Sequence, residues 1–365
     1  MARIDRARVG RYARAGARWA RLLAPVRRSV TGIRVFYGVD LLPRPGDPAA
    51  GGTAKAQRLA TRFPNHPRNF NLLYLSSPHL PRDLGPLVWL ARRRGIPVVV
   101  NQNGVGYPAW AGDASTTFNA PVRRALDVAT HVLYQSAFCK ASADAFVGAP
   151  RGMWEILYNA VDTTTFTPSV PPPAGGPVLL LGGDQTQAYR AELALRTLAE
   201  LVASYDEARL LVTGRLVAPA NGLVDELGLR DRVELVGRYA QRDAPALLRR
   251  AHVLLHTQMN DSCPSLVIEA MACGLPVVYS RSGGTVELVG DVAGIGVPHE
   301  ATWERLVPPE PRALAEAVSR VLADHDRYRT AARQRAVAEY DLEPWFARHE
   351  ELFAQLVAQR QRGRR

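Results

Sequence analysis

Cysteine is nearly absent from this chain of 365 residues: Cys139, Cys263 and Cys273 are all there are, and no two stand as C-x-x-C. A disulfide framework and a zinc ribbon are thereby excluded. Long hydrophobic runs are missing too. Stretches such as 96–100 and 177–181 give out after a few residues, whereas a membrane span needs about twenty. No span is expected, and no hydrophobic leader core follows the basic start. Aromatic residues are 7% of the chain, too few for a stacking platform on single-stranded nucleic acid. The eight histidines form no H-x-H pair, and no metal site is expected. Lysine is the scarcest of the charged residues. Only Lys55 and Lys140 occur among 46 basic residues, so a pyridoxal Schiff base in the second half is excluded. No cofactor is expected.

The net charge of +12 is not spread over the body. Residues 1–30 carry nine Arg and one Asp, and 359–365 carry four Arg, so residues 31–358 sum to zero. The electrostatic footprint of a duplex-binding protein is missing, and no nucleic-acid partner is expected.

Residues 3–24 read as a basic amphipathic helix ended by Pro25. Val9, Tyr12, Trp19 and Leu23 fall on one side, and Arg3, Arg6, Arg11, Arg14, Arg18 and Arg21 on the other. Two readings stay open. The helix lies on an anionic membrane surface, or it packs on the body. The expected location is cytoplasmic, at most peripheral on the inner face of the membrane.

From residue 33 strands and helices alternate. Strands are expected at 33–39, 71–76, 96–101, 131–135 and 153–158, with helices at 54–62, 84–94 and 121–129. These strands are short and rich in Val, Ile and Leu without polar alternation, as strands buried on both faces are. A Pro-rich linker follows at 161–177. A second series has strands at 178–182, 209–213, 233–236, 253–256 and 277–280, and helices near 188–204, 243–250 and 264–273. The end is helical from 311 to about 357. Two such series predict an α/β fold of two Rossmann-like doubly wound domains, 33–160 and 178–342, facing a central cleft, after an N-terminal extension at 1–32.

The run N-D-S-C-P-S-L-V-I-E-A-M-A-C-G-L-P-V-V at 260–278 is the most informative. Pro264 suits a helix start and Gly274 a helix end. Glu269 sits inside an apolar stretch, where a carboxylate needs partners. Asp261 and Glu269 are roughly 12 Å apart at a helical rise. That is too far for a shared-proton dyad, and it fits two carboxylates gripping different ends of one polyhydroxylated ligand. The amides near Ser265 and Leu266 suit a phosphate between them.

This run resembles the E-x7-E signature of family 4 glycosyltransferases with the two-Rossmann B fold, followed here by Gly283-Gly284 and Glu287. The resemblance implies that Glu269 binds the ribose hydroxyls of a nucleoside diphosphate sugar. It implies that Asp261, one methylene shorter than the family's Glu, contacts the donor hexose. N-A-V-D-T-T-T-F-T-P at 159–168 resembles the interdomain hinge, with Ala160 in place of a Gly, so strain at a positive φ is expected there. Gly237-Arg238 resembles the segment near the nucleobase, and Ser136 a strand end. Gly51-Gly52 resembles the first-domain loop near the pyrophosphate, which places Gly52 in the donor set. The helix at 343–358 is expected to complete the first domain, with a basic tail at 359–365.

Two departures matter. The family's phosphate-binding Lys is missing, and Arg190 is the expected replacement, with Arg215 a second candidate. The family's acceptor-facing His is missing as well. Gln102, Asn103, Tyr107 and Trp110 stand in that loop as the expected acceptor-binding residues. Asp261, Glu269 and Arg190 form the expected catalytic set. The resemblance implies hexose transfer with retention to a glycan or lipid-linked acceptor, in envelope or extracellular polysaccharide synthesis. The alternatives are a nucleotide-sugar epimerase of the same fold and a non-catalytic sugar-nucleotide-binding subunit. Asp324-x-Asp326 is set aside as a metal motif because it falls in the late helical region.

Overall fold

The structure, a computed structural model, describes residues 18–20, 22–23, 32–44, 51–77, 79–171, 173–185, 187–215 and 218–362. Two parallel sheets form its core. The first runs β1 (Val35–Phe36), β2 (Leu72–Ser76), β3 (Val98–Gln102), β4 (His131–Tyr134) and β5 (Met153–Ile156), in that spatial order. The second holds β6 (Val178–Leu181), β7 (Arg209–Thr213), β8 (Val233–Gly237), β9 (Val253–His256), β10 (Val277–Ser280) and β11 (Gly294–Val297). Its order is β11-β10-β9-β6-β7-β8. The inner strands are buried along their whole length, which is why they read as apolar runs without alternation.

Polarity returns at the carboxyl ends of the strands. Ser76, Ser77, Asn101, Gln102, Gln135 and Ser136 lie there in the first sheet and are buried. Thr213, His256, Thr257, Ser280 and Ser282 do the same in the second. Buried polar groups collected at one edge of each sheet mark where a ligand would be met.

The C-terminal helix Leu342–Arg362 crosses back to the first sheet. Its Phe353, Leu356 and Val357 join Val35, Leu72 and Val99 in one apolar cluster. Arg348 reaches Glu155 on β5 at 2.8 Å. The Pro-rich segment is tied down by arginine. Arg333 donates to the carbonyls of Phe166, Ala272 and Thr163 at 2.7, 2.8 and 2.9 Å, and Arg249 to that of Thr167 at 2.8 Å.

Several expectations need correction. The strand Gly294–Val297 is not expected from the sequence, because two of its four residues are glycine. The helix expected from Pro121 is Ser115–Leu126 and runs through that proline. Gly51 and Gly52 lie inside the first turn of Gly51–Leu59 and do not precede it. The helical end is three helices, Pro311–Ala323, His325–Glu339 and Leu342–Arg362, so most of the basic tail is helical. Asp324 stands between the first two and pairs with Arg327. Ala160 has no positive φ, so the hinge is unstrained there. Among the described non-glycine residues only Asn69 and Asn260 have one. Most of the helix expected at 3–24 lies outside the described residues, but its end packs on the body. Leu22 is buried with Trp19 against the first core, and Arg18 is not solvent-facing, since it bonds the Gly38 carbonyl at 2.7 Å and pairs with Asp83 at 3.3 Å. No helix among the described residues is long and apolar enough to cross a membrane.

Candidate active site

Strand order in the second sheet reverses between β9 and β6. A doubly wound sheet opens its crevice at that reversal, beyond the carboxyl ends of the two strands. Beyond β6 comes Gly182-Gly183-Asp184, and beyond β9 the loop to Asp261. A Cβ on Gly182 would lie 2.2 Å from Leu266 Cδ2, so the strand end rests directly on the helix Ser265–Ala272. Pro264 caps that helix, and its carbonyl accepts from the amides of Val267 at 3.1 Å and Ile268 at 3.5 Å. The N–H groups of Ser265 and Leu266 precede this ladder, at the positive end of the helix dipole.

Glu269 lies on the same helix and is buried. Gln241 Nε2 donates to its Oε1 at 3.0 Å. Burial raises its pKa, while Arg58 of the first domain and Gln241 act against the rise. The rest of the helix is apolar core, with Val267, Ile268, Ala270, Met271 and Ala272 all buried. Among the described residues Gln241 is the side-chain hydrogen-bond partner of this buried carboxyl group, in surroundings where such a group needs partners.

Asp261 is set by its neighbours. Asn260 before it takes φ 50°, a left-handed conformation that Asn tolerates, and its amide donates to Ser282 Oγ at 2.9 Å. Gly284 N donates to the Asp261 carbonyl at 2.8 Å. A Cβ on Gly284 would stand 2.0 Å from the Ser262 oxygen, and one on Gly283 2.4 Å from the Asp261 oxygen. The Gly283-Gly284 pair exists so that this loop can lie on the next one. The Asp261 carboxylate faces His256 Nε2 at 3.6 Å. Burial raises its pKa, opposed by Arg190 and by the amides of Ser262 and Cys263.

His256 is not among the residues expected at the site. It ends β9 at the switch point, it is buried, and its Nε2 has no hydrogen-bond partner among the described residues. Burial, with Arg190 adding to it, pushes its pKa down to about 3, so the ring is neutral. It is spaced as H-x-x-x-H with His252, but the two bracket a strand and face opposite ends of the sheet.

The expected arginines are placed differently from one another. Arg190 is buried in the first turn of Ala188–Val202, where its guanidinium donates to the carbonyls of Gly182 at 3.1 Å and Asp184 at 3.2 Å. Its Nε is buried without a partner among the described residues. Arg215 and Arg238 are exposed and turn to one carboxylate, Asp184, at 3.3 and 2.6 Å. Asp184 is a second site residue that the sequence does not single out. Its hydrogen bond from Arg238, more than the nearby charge of Arg215, holds its pKa down to about 2.

The first domain meets this face closely. A Cβ on Gly104 would stand 2.9 Å from Ser262 Oγ. Ser136 Oγ donates to the Ser262 carbonyl at 2.6 Å. Of the acceptor-side residues, Gln102 is fully buried and its Nε2 donates to the Gly104 carbonyl at 3.2 Å, so it builds the loop and does not line the open cleft. Tyr107 is buried too. Its ring packs against Trp303 of the second domain at 5.2 Å between centroids, which leaves no free face for a sugar. Burial raises its pKa to about 12, with Asn260 acting against the rise, which places its hydroxyl beside the Asp261 loop. Trp110 is partly exposed and meets Phe118 edge-on. Asn103 Oδ1 is buried without a partner. Gly52 approaches β2, where a Cβ would come within 2.6 Å of Ser76 Cβ.

Residues 162–337 match the family described as glycosyl transferases group 1. The chain is 27% identical over 138 residues to a subunit of the human phosphatidylinositol N-acetylglucosaminyltransferase, covering 37% of this chain and 28% of that protein. It is 26% identical over 287 residues to D-inositol 3-phosphate glycosyltransferase 2 of Catenulispora acidiphila, covering 70% of this chain and 67% of that one. The chain thus spans about a third of the length of the first curated relatives, 28% and 36% for the human protein and its Arabidopsis thaliana counterpart. Among solved structures, Anabaena HepE in complex with UDP superposes with a TM-score of 0.65 at 19% identity, over 83% of this chain and 81% of that one. Sucrose-phosphate synthase from Thermosynechococcus elongatus superposes at 0.63 and 21%, over 84% and 77%. These likenesses establish the fold, two Rossmann-like domains about a cleft.

Proposed function

We propose, of a chain whose residues 162–337 belong to the glycosyl transferases group 1 family, that it transfers a hexose from a nucleoside diphosphate sugar to a glycan or lipid-linked acceptor with retention. The observation that carries this reading is Glu269. It is a buried carboxylate with one side-chain partner, on the helix whose amino end stands at the strand-order reversal. That geometry suits a ribose diol at Glu269 and a diphosphate at the Ser265 and Leu266 amides. Asp261, beyond the helix start, suits a hexose hydroxyl.

Chemistry follows from what the cleft holds. The bond from the anomeric carbon to the phosphate oxygen breaks, and charge develops on the leaving diphosphate. Amides at a helix start stabilise that charge without reorganising. The acceptor hydroxyl attacks from the same face and gives its proton to the leaving oxygen, so no side-chain nucleophile is needed. Meeting of the domains across Ser136 and Ser262 excludes water and limits hydrolysis.

Structures of the Anabaena HepE relative contain UDP and UDP-glucose, so UDP-sugars head the panel of donors to try. The test is turnover with simple alcohol acceptors, read by anomeric coupling in proton NMR. The expected product keeps the donor's anomeric configuration, and Glu269→Ala gives none. Conversion of donor without acceptor would replace the reading by the epimerase. Binding without turnover on any acceptor would replace it by the non-catalytic binding protein.

A further inference from the structure

Lys55 is one of two lysines in the chain, and it is buried. It stands in the helix Gly51–Leu59, three residues past Gly52. Its Nζ donates to Asn101 Oδ1 at 2.8 Å, at the carboxyl end of β3. Gln135 Nε2 donates to the same oxygen at 2.9 Å. Asn159 Nδ2 donates to Gln135 Oε1 at 3.1 Å and to the Cys263 carbonyl at 2.7 Å. Cys263 precedes Pro264, the cap of Ser265–Ala272. A short polar chain therefore joins the amine, in the first domain, to the start of the helix that carries Glu269.

An ammonium has three donors, and the one hydrogen bond found among the described residues leaves two over. The polar atoms around it are unsatisfied as well. Ser76 Oγ, Ser77 Oγ, Asn101 Nδ2 and Asn159 Oδ1 are all buried without a partner among the described residues. Among the described residues, the ionisable groups acting on Lys55 are Arg58 of its own helix, Cys139, Cys263 and, from the C-terminal helix, His349. None is a carboxylate. Burial pushes its pKa down to about 7. A buried cation with no counter-ion is costly and is retained where a ligand brings the negative charge.

Among the described residues, the other cations expected at the donor site are engaged. Arg190 lies between two carbonyls, Arg215 and Arg238 turn to Asp184, and the second domain has no lysine. Arg58, one turn beyond Lys55, acts electrostatically on Glu269. We propose that Lys55 is the cation that receives the donor's diphosphate, supplied by the first domain, so that the phosphate site is complete only when both domains meet over the donor. This rests on the donor reading above and names the residue that takes the place of the missing second-domain lysine.

The composition supplies the test. Full-length protein labelled in lysine carbon shows two ε-methylene signals, and Lys140→Arg assigns them. The Lys55 signal is titrated free and with pyrophosphate, UDP, GDP, ADP, dTDP, uridine and glycerol 3-phosphate. Pyrophosphate and the bound nucleoside diphosphate should raise its midpoint by about one pH unit, and uridine should not. Lys55→Met should weaken that nucleoside diphosphate about tenfold while nucleoside affinity holds. A nucleoside diphosphate that binds wild type, is lost in Glu269→Ala and leaves the Lys55 signal unmoved overturns the proposal and spares the donor reading. A response to glycerol 3-phosphate alone assigns Lys55 to a phosphorylated acceptor and overturns it too. Failure of every nucleoside diphosphate to bind the wild-type protein, with the Lys55 signal unmoved throughout, overturns both. If Lys55→Met does not fold, the wild-type titration decides.

Discussion

At the scale of single residues, two buried histidines set the acid side of the stability profile. Burial lowers the pKa of His256 to about 3 and that of His349 to about 4. Both fall below the unfolded value, so the unfolded chain binds more protons in that window. Their contribution is full above pH 6.5 and is lost as pH falls toward the folded values. One unit below 6.5 the cost is on the order of 1 kcal/mol for each ring. Urea melts at pH 7.5 and 5.5 should show this loss, and His256→Asn should flatten the slope. An unchanged slope would mean that His256 is charged in the fold. The same scale shows what the sequence can tell. Glu269 and Asp261 are legible because both stand in one local run, 260–278, whose pattern is read without the fold. His256 and Asp184 are not, because each matters only once β6 and β9, far apart along the chain, lie side by side.

At the scale of elements, arginine does the work that lysine cannot. Arg333 holds three carbonyls of the linker and of the donor helix end at once. A planar fork with five spread donors reaches all three, and the compact ammonium of a lysine, a single point, does not. Arg333→Lys should cost about 1–2 kcal/mol and lower Tm by a few degrees, read by calorimetry. An equal Tm would show that the linker is held by its apolar contacts alone. Most strands are readable because burial on both faces leaves Val, Ile and Leu with no choice of partner. The Gly294–Val297 strand carries no such signal, since the β10 backbone, which a Cβ on Gly294 would meet at 1.9 Å, demands glycine there. Pro121 reads as a start because it lacks the amide that a helix interior uses, yet the helix runs through it.

At the scale of the whole molecule, one carboxylate fastens the two domains. Glu287 of the second domain accepts from the Ala137 and Phe138 amides at 2.7 and 2.8 Å, capping the first-domain helix Ala137–Phe146, and from the Tyr158 hydroxyl at 3.1 Å. Glu287→Ala should open the cleft, seen as a larger radius of gyration in solution scattering, with donor affinity down about tenfold. An unchanged radius would place closure elsewhere, in the Ser136–Ser262 contact or the rings around Trp303. Domain facing is predictable from two strand series and a linker. Tyr107 reads as a free stacking ring only because Trp303, which covers it, lies almost two hundred residues away in sequence.

The central claim is that the cleft binds a nucleoside diphosphate sugar through Glu269. A thermal-shift panel of UDP-, GDP-, ADP- and dTDP-sugars on wild type and Glu269→Ala tests it most directly. The account predicts a rise in Tm with one nucleotide, absent in the variant. A rise of equal size in both proteins, or none in wild type, would contradict it.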